Sequence, residues 1–155
     1  MFQAQKTTEP NQPDDVISND GEFWPSISIS DFVRERRIPT EYDNVQKRST
    51  LIQSMAAINI ELLSWQRLQE DRGIEQASDC QGNIGGESIA VTMYKNAVHS
   101  RAKALLLTHF ASVNRKDEAE NVGKESRTTS DELMAESQRA VRSIKSMTTA
   151  SVKLI

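Results

Sequence analysis

"LIQSMAAINIELLSW" occupies Leu51–Trp65. Leu51, Met55, Ile58, Leu62 and Trp65 recur at steps of four, three, four and three, the spacing of one face of an α-helix. A second row, Ile52, Ala56, Ile60 and Leu63, flanks the first and widens the apolar face. Outward from this stretch, Thr40 offers an N-cap, with Glu41 and Asp43 in the favourable first turn. Gly73 supplies a C-terminal stop. The helix is therefore predicted from Glu41 to Asp71. It would be roughly 45 Å long at 1.5 Å per residue, long for so small a domain.

Upstream lies "NDGEFWPSISISDF", Asn19–Phe32. Ser28 and Asp31 have the spacing of a capping box, and Ile27 and Phe32 that of the hydrophobic staple around it. They predict a first helix over 29–36. Pro39 disfavours helix at Ile38 and ends it. Phe23 and Trp24 precede this helix in a chain that is only 5% aromatic. Pro25 holds Trp24 extended. Two uses fit such a pair: anchoring the segment on the chain's own core, or meeting another protein. Residues 1–18, with Pro10 and Pro13 in a polar setting, read as a flexible tail.

Downstream, residues 74–86 ("IEQASDCQGNIGG") read as a mobile connection. Their glycines lack the following Lys-Ser/Thr and the preceding strand of a phosphate-binding loop. A third helix is predicted over 87–113, with Ile89, Met93, Tyr94, Ala97, Val98, Ala102, Leu105, Leu106 and Phe110 as core positions. The polar stretch 114–129 follows. Thr129 and Glu132 make a capping box for a fourth helix over 130–147, with Leu133, Ala140, Val141, Ile144 and Met147 on its apolar face. In the closing residues, Val152 and Leu154 alternate with Ser151 and Lys153, a strand pattern. Nothing else in the chain reads as a sheet, so this strand would need an edge from another subunit or partner. The fold expected is all-α: a bundle of about four helices over 19–147, the second and third long, followed by an extended tail over 148–155.

Chemistry is sparse. The chain carries 19 Lys+Arg against 22 Asp+Glu over 155 residues, a formal charge of −3. No basic block favours sequence-independent binding to nucleic acid. Cys80 is the single cysteine, which excludes an internal disulfide and a cysteine-based metal site and fits a reducing compartment. No segment approaches the about 20 apolar residues of a membrane span, and no signal peptide is visible, so a soluble, intracellular protein is expected. His99 and His109 are ten apart on one helix, which leaves them roughly 80° apart around its axis, unsuited to sharing a metal. No catalytic, cofactor-binding or metal-binding residue is assigned, and no enzyme is expected. A second reading is a small helical DNA-binding regulator, with Arg34, Arg36, Arg37, Lys47 and Arg48 around the Pro39 break. The second helix is far longer than a recognition helix, and base-reading residues do not cluster at its start.

Four blocks, in order, resemble the head completion proteins of temperate phages with contractile tails, also called head–tail connector or adaptor proteins. They are "NDGEFWPSISISDF", "AAINIELLSWQ" (Ala56–Gln66), "GESIAVTMYKNAVHSRAKALLL" (Gly86–Leu107) and the terminal "SVKLI". Together they span most of 19–155. Two departures stand out: Glu22 separates Gly21 from Phe23, where the family runs straight from Gly to Phe, and 114–129 has no counterpart. The resemblance implies a structural virion protein at the portal vertex, assembled in the host cytoplasm. It implies a homo-oligomeric ring of twelve copies beneath the portal protein that extends the DNA channel, stabilises the filled head and receives the tail. Packaged DNA would pass without sequence-specific binding, no membrane would be involved, and no catalysis is implied. The interaction residues expected on this basis are Phe23, Trp24, Ser151, Val152, Lys153, Leu154 and Ile155.

Overall fold

The computed structural model describes residues 15–80, 82–113 and 119–147, the last beginning with a stretch known by its backbone alone. Over these residues the chain is mostly helical. A short hairpin pairs β1 (Val16–Ile17) with β2 (Ile27–Ser28), in the antiparallel register Val16↔Ser28 and Ile17↔Ile27. Helices α1 (Ile29–Arg36) and α2 (Asn44–Asp71) follow. A 3₁₀ turn (Ala77–Asp79) and a second hairpin, β3 (Asn83–Ile84) with β4 (Glu87–Ser88), lead into α3 (Ile89–Val113) and α4 (Ala119–Ser146).

Helix α3 is the central element, packed along α4 and along α2, with α1 laid against it. Cross-links between helices show the directions. Tyr42, just before α2, meets Phe110 near the end of α3, while Asn59 is hydrogen-bonded to Tyr94 near its start. Ser137 of α4 bonds to the Ala97 carbonyl and Ser130 to that of Ala104. Both neighbours therefore run antiparallel to α3, and α2, α3 and α4 form an up-down-up bundle.

α1 spans the residues expected, and Ser28 caps it by accepting from the Asp31 amide at 3.2 Å. The cap is only half a box, because the Asp31 carboxylate accepts from Arg34 instead. The rest comes from Asp15. Its carbonyl accepts from the Ile29 amide and its carboxylate from the Ser30 amide and the Ser28 and Ser30 hydroxyls. The first three amides of α1 are thus all satisfied, with a negative charge at the positive end of the helix. Asp15–Ser18, placed in the tail by the sequence reading, belong to the fold.

α2 starts three residues later than expected. Asp43, not Thr40, is the N-cap, accepting from the Gln46 amide at 2.8 Å, which leaves Tyr42 free to turn into the core against Phe110. At the far end Gly73 (φ +85°) and the Ile74 amide, bonded to the Gln69 carbonyl, make the Schellman stop. The connection 74–86 is not the mobile segment expected. Its Gly85-Gly86 turn has φ of +62° and +81°, as a two-residue type I′ hairpin requires. Ala77 is fully buried, and the Ser88 hydroxyl bonds back to its carbonyl. α4 begins at Ala119 rather than near 130, so Thr129 lies inside it. In 119–127, Ala119, Glu120, Lys124, Glu125 and Arg127 favour helix, but there is no apolar stripe to betray it and Gly123 argues against it.

The departure at Glu22 has a backbone answer. Asn19–Glu22 close a turn through a 2.9 Å bond from the Glu22 amide to the Asn19 carbonyl, and Glu22 takes φ +55°. An exposed non-glycine residue in this left-handed region is strained by about 1 kcal/mol. Glu22→Gly is expected to raise the unfolding free energy by about 0.5–1 kcal/mol, read as a higher urea midpoint at unchanged m-value.

Candidate assembly surfaces

The lead-in aromatics are buried: Phe23 is 2% and Trp24 4% exposed. The Trp24 ring lies between those of Tyr94 (4.7 Å, 8° between planes) and Trp65 (5.7 Å, 23°), and Phe23 meets its edge at 5.0 Å. Around this stack runs a closed set of hydrogen bonds. Asn19 Nδ2 donates to the Tyr94 hydroxyl (3.0 Å) and the Pro25 carbonyl (2.8 Å), Tyr94 donates to Asn59 Oδ1 (2.7 Å), and Asn59 Nδ2 donates to Asn19 Oδ1 (2.8 Å). Burial pushes the Tyr94 hydroxyl up to about 12 despite the Asn19 bond, so it stays a phenol able to donate. The expectation that Phe23 and Trp24 face another subunit is therefore corrected. They anchor the lead-in to α2 and α3, and the Phe23 carbonyl also holds the 3₁₀ turn through the Ala77 amide at 2.8 Å.

A polar seam joins α1, α3 and α4. Arg36 donates to both carboxylate oxygens of Glu136 (3.1 and 3.4 Å) and to Asn96 Oδ1. Burial works to raise the Glu136 carboxyl, but the hydrogen bond and charge of Arg36 outweigh it and hold it below its ordinary value. Lys103 donates to the Arg36 carbonyl at 2.9 Å, next to the end of α1. His99 is 3% exposed, with Nδ1 at 3.0 Å from Glu35 Oε2. Burial lowers its affinity for a proton further than the Glu35 carboxylate raises it, so the neutral ring donates through Nδ1. His99 is thus a core residue bound to a carboxylate. Burial also raises the Cys80 thiol, which makes it a poor nucleophile. Among the described residues no group of three or more His, Cys, Asp or Glu is placed to hold a metal, and no helix is long and apolar enough to cross a membrane.

Of the cations that a DNA-binding reading would use, Arg36 is paired with Glu136 inside the fold and Lys47 is buried, while Arg34, paired with Asp31, and Arg37 lie at the surface. The outward apolar surface is on α2 instead. Of its two rows, Leu51, Met55, Ile58, Leu62 and Trp65 are buried, while Ile52, Ala56, Ile60 and Leu63 point to solvent. The packing of α3 and the lead-in covers only the first row, so the wide apolar face expected from the sequence is part core and part surface. Ser151, Val152, Lys153, Leu154 and Ile155 lie outside the described residues.

A family model described as phage head completion protein (GPL) matches residues 17–155. The chain belongs to this family. A curated relative, the "Probable head completion/stabilization protein" of Haemophilus phage HP1 (strain HP1c1), is 28% identical over 143 residues, covering 92% of this chain and 93% of its own length. No solved structure matches. The family match begins inside β1, so the head completion region includes the strand and the Trp24 stack as well as the four helices.

Two outcomes follow for this head completion chain. Trp24→Ala removes the centre of the ring stack and is expected to destabilise the monomer by about 3–5 kcal/mol, measured by urea denaturation. For pH, His99 binds its proton less readily folded than unfolded. Its contribution is therefore present above the ordinary histidine value near 6.5 and lost as pH falls through its lowered folded value. Stability is expected to decline between pH 7 and 5. His99→Asn, which keeps a donor towards Glu35, is expected to be less stable at pH 7 but to lose that part of the slope.

Proposed function

We propose that this protein is a structural subunit of the phage virion that completes and stabilises the head after DNA packaging. The observation that carries the reading is the family match over 17–155, supported by the name of the HP1 relative, which aligns nearly end to end. In this reading twelve copies form a ring beneath the portal at the head–tail junction, assembled in the host cytoplasm. The ring extends the DNA channel and presents the surface on which the tail or its completion proteins dock. It does no chemistry: it acts by covering the portal and closing the filled head.

The physical properties support such a role. Ring subunits meet through two different faces, and long helices offer both. A formal charge of −3, with Arg36 paired to Glu136 and Lys47 buried, neutralises few phosphates and lets DNA pass without sticking. The alternation in residues 151–154 suits addition of a strand to a sheet edge in the portal or a neighbouring copy.

Deletion of Thr148–Ile155 tests the reading. The truncated chain is expected to keep its helical circular dichroism but to fail to co-sediment with portal-bearing filled heads or to complement a head completion mutant. Normal complementation by the truncated chain would remove the tail from the mechanism. Failure of the full-length chain to bind such heads would overturn the portal-ring reading itself.

A further inference from the structure

Asn96, His99 and Lys103 stand at steps of three and four, so they form one stripe along α3. Each of them touches α1. Asn96 accepts from Arg36, and Lys103 donates to the Arg36 carbonyl at 2.9 Å. His99 is bonded to Glu35 at 3.0 Å, and its ring lies 5.5 Å from that of Phe32. The other sides of α3 meet other helices: Tyr94 and Arg101 bond to α2, and the Ala97 and Ala104 carbonyls to α4. α1 is therefore the element that covers His99.

The cover is a short one. Its eight residues lie between two buried isoleucines, Ile27 and Ile38, and within it only Ile29 and Phe32 are buried. Arg37 takes φ +50°, a strained conformation for a residue with a side chain, and Pro39 follows, so the helix cannot be extended to gain more hold. Eight residues do not keep a helix without support. A segment with so few buried contacts opens at a lower free energy than the long helices beneath it.

We propose that α1 is a strap that lifts from α3 independently of the long helices, and that acid releases it by protonating the His99 it uncovers. Under α1 the ring is neutral, because burial outweighs the pull of Glu35 and Asp31, and Arg36 also opposes a charge there. Once α1 lifts, the ring meets water and regains its ordinary affinity, near pH 6.5. Lifting thus takes up a proton below that pH. Closure is fully favoured above it and weakens as pH falls through the lowered value of the covered ring. Glu136 of α4 acts in the same direction in stronger acid. It loses Arg36 when α1 lifts, and its carboxyl returns towards the ordinary 4.5. The remaining charges near the stripe are Lys103 and Arg37, which repel each other at the end of α1, and Glu61 of α2, which is bonded to Arg101.

Hydrogen exchange of the full chain, followed amide by amide by NMR between pH 7 and 5, tests this. After correction for intrinsic rates, the amides of 32–36 are expected to be less protected than those in the middle of α3. Their protection is expected to fall by up to about tenfold per pH unit below 6.5, the limit for one proton. His99→Asn, checked for folding by circular dichroism, is expected to keep the weaker protection of α1 but to lose its pH slope. Glu35→Gln, at a half-exposed site, removes the carboxylate that favours the charged ring and is expected to carry the slope further into acid. α1 amides that exchange only together with those of α3 would overturn the proposal. So would a separate opening of α1 that is flat in pH, one whose slope survives His99→Asn, or one whose slope Glu35→Gln leaves unshifted.

Discussion

Trp24 held between the rings of Tyr94 and Trp65 ties together segments that come from four parts of the chain. The lead-in brings Trp24 and Phe23, α2 brings Trp65 and Asn59, α3 brings Tyr94, and the 3₁₀ turn hangs on the Phe23 carbonyl. Stacked rings contribute beyond the area they bury, and a buried polar network adds specificity only when its members are satisfied. Asn19, Asn59 and Tyr94 meet that condition among themselves and with Pro25. The stack joins the second half of α2 to the start of α3 and fixes the lead-in across both.

Away from that end, the bundle depends on α3, which is covered on several sides, and on a polar seam rather than an apolar one at the α1–α3–α4 junction. Arg36 binds Glu136 and Asn96 while its own carbonyl accepts from Lys103. Pairs of this kind add little to stability over apolar packing of equal volume, but a misplaced helix would strand one partner of a half-buried pair, which disfavours wrong registers. In a protein whose task is to sit in an assembly, a single well-defined subunit shape matters more than an extra margin of stability.

The features legible in the sequence are those written locally. The Ser28 cap, the limits of α1, the Gly73 stop and the buried row from Leu51 to Trp65 depend on residues a few positions apart. What escaped was non-local or chemically ambiguous. Asp15 caps α1 across a hairpin, and a polar N-terminal segment gives no hint of it. The Gly-Gly turn before Glu87 was a hairpin signal hidden by two-residue strands. Phe23 and Trp24 carry identical sequence evidence for core and interface, and only their position against Trp65 and Tyr94 decides. For α2, periodicity identified two apolar rows but not which one the rest of the chain would cover. The terminal residues, on which the remaining expected contacts fall, lie outside the described residues.

α1 has only eight residues, and beside its local caps at Ser28 and Arg37 each end carries a tie from elsewhere: Asp15 at the first turn and Lys103 at the Arg36 carbonyl. Helices shorter than about 12 residues do not persist alone in water. The tie at its last turn comes from α3, 67 residues further along the chain, so it exists only where the long helices are already packed. α1 is thus a clasp whose closure reports on the bundle beneath it.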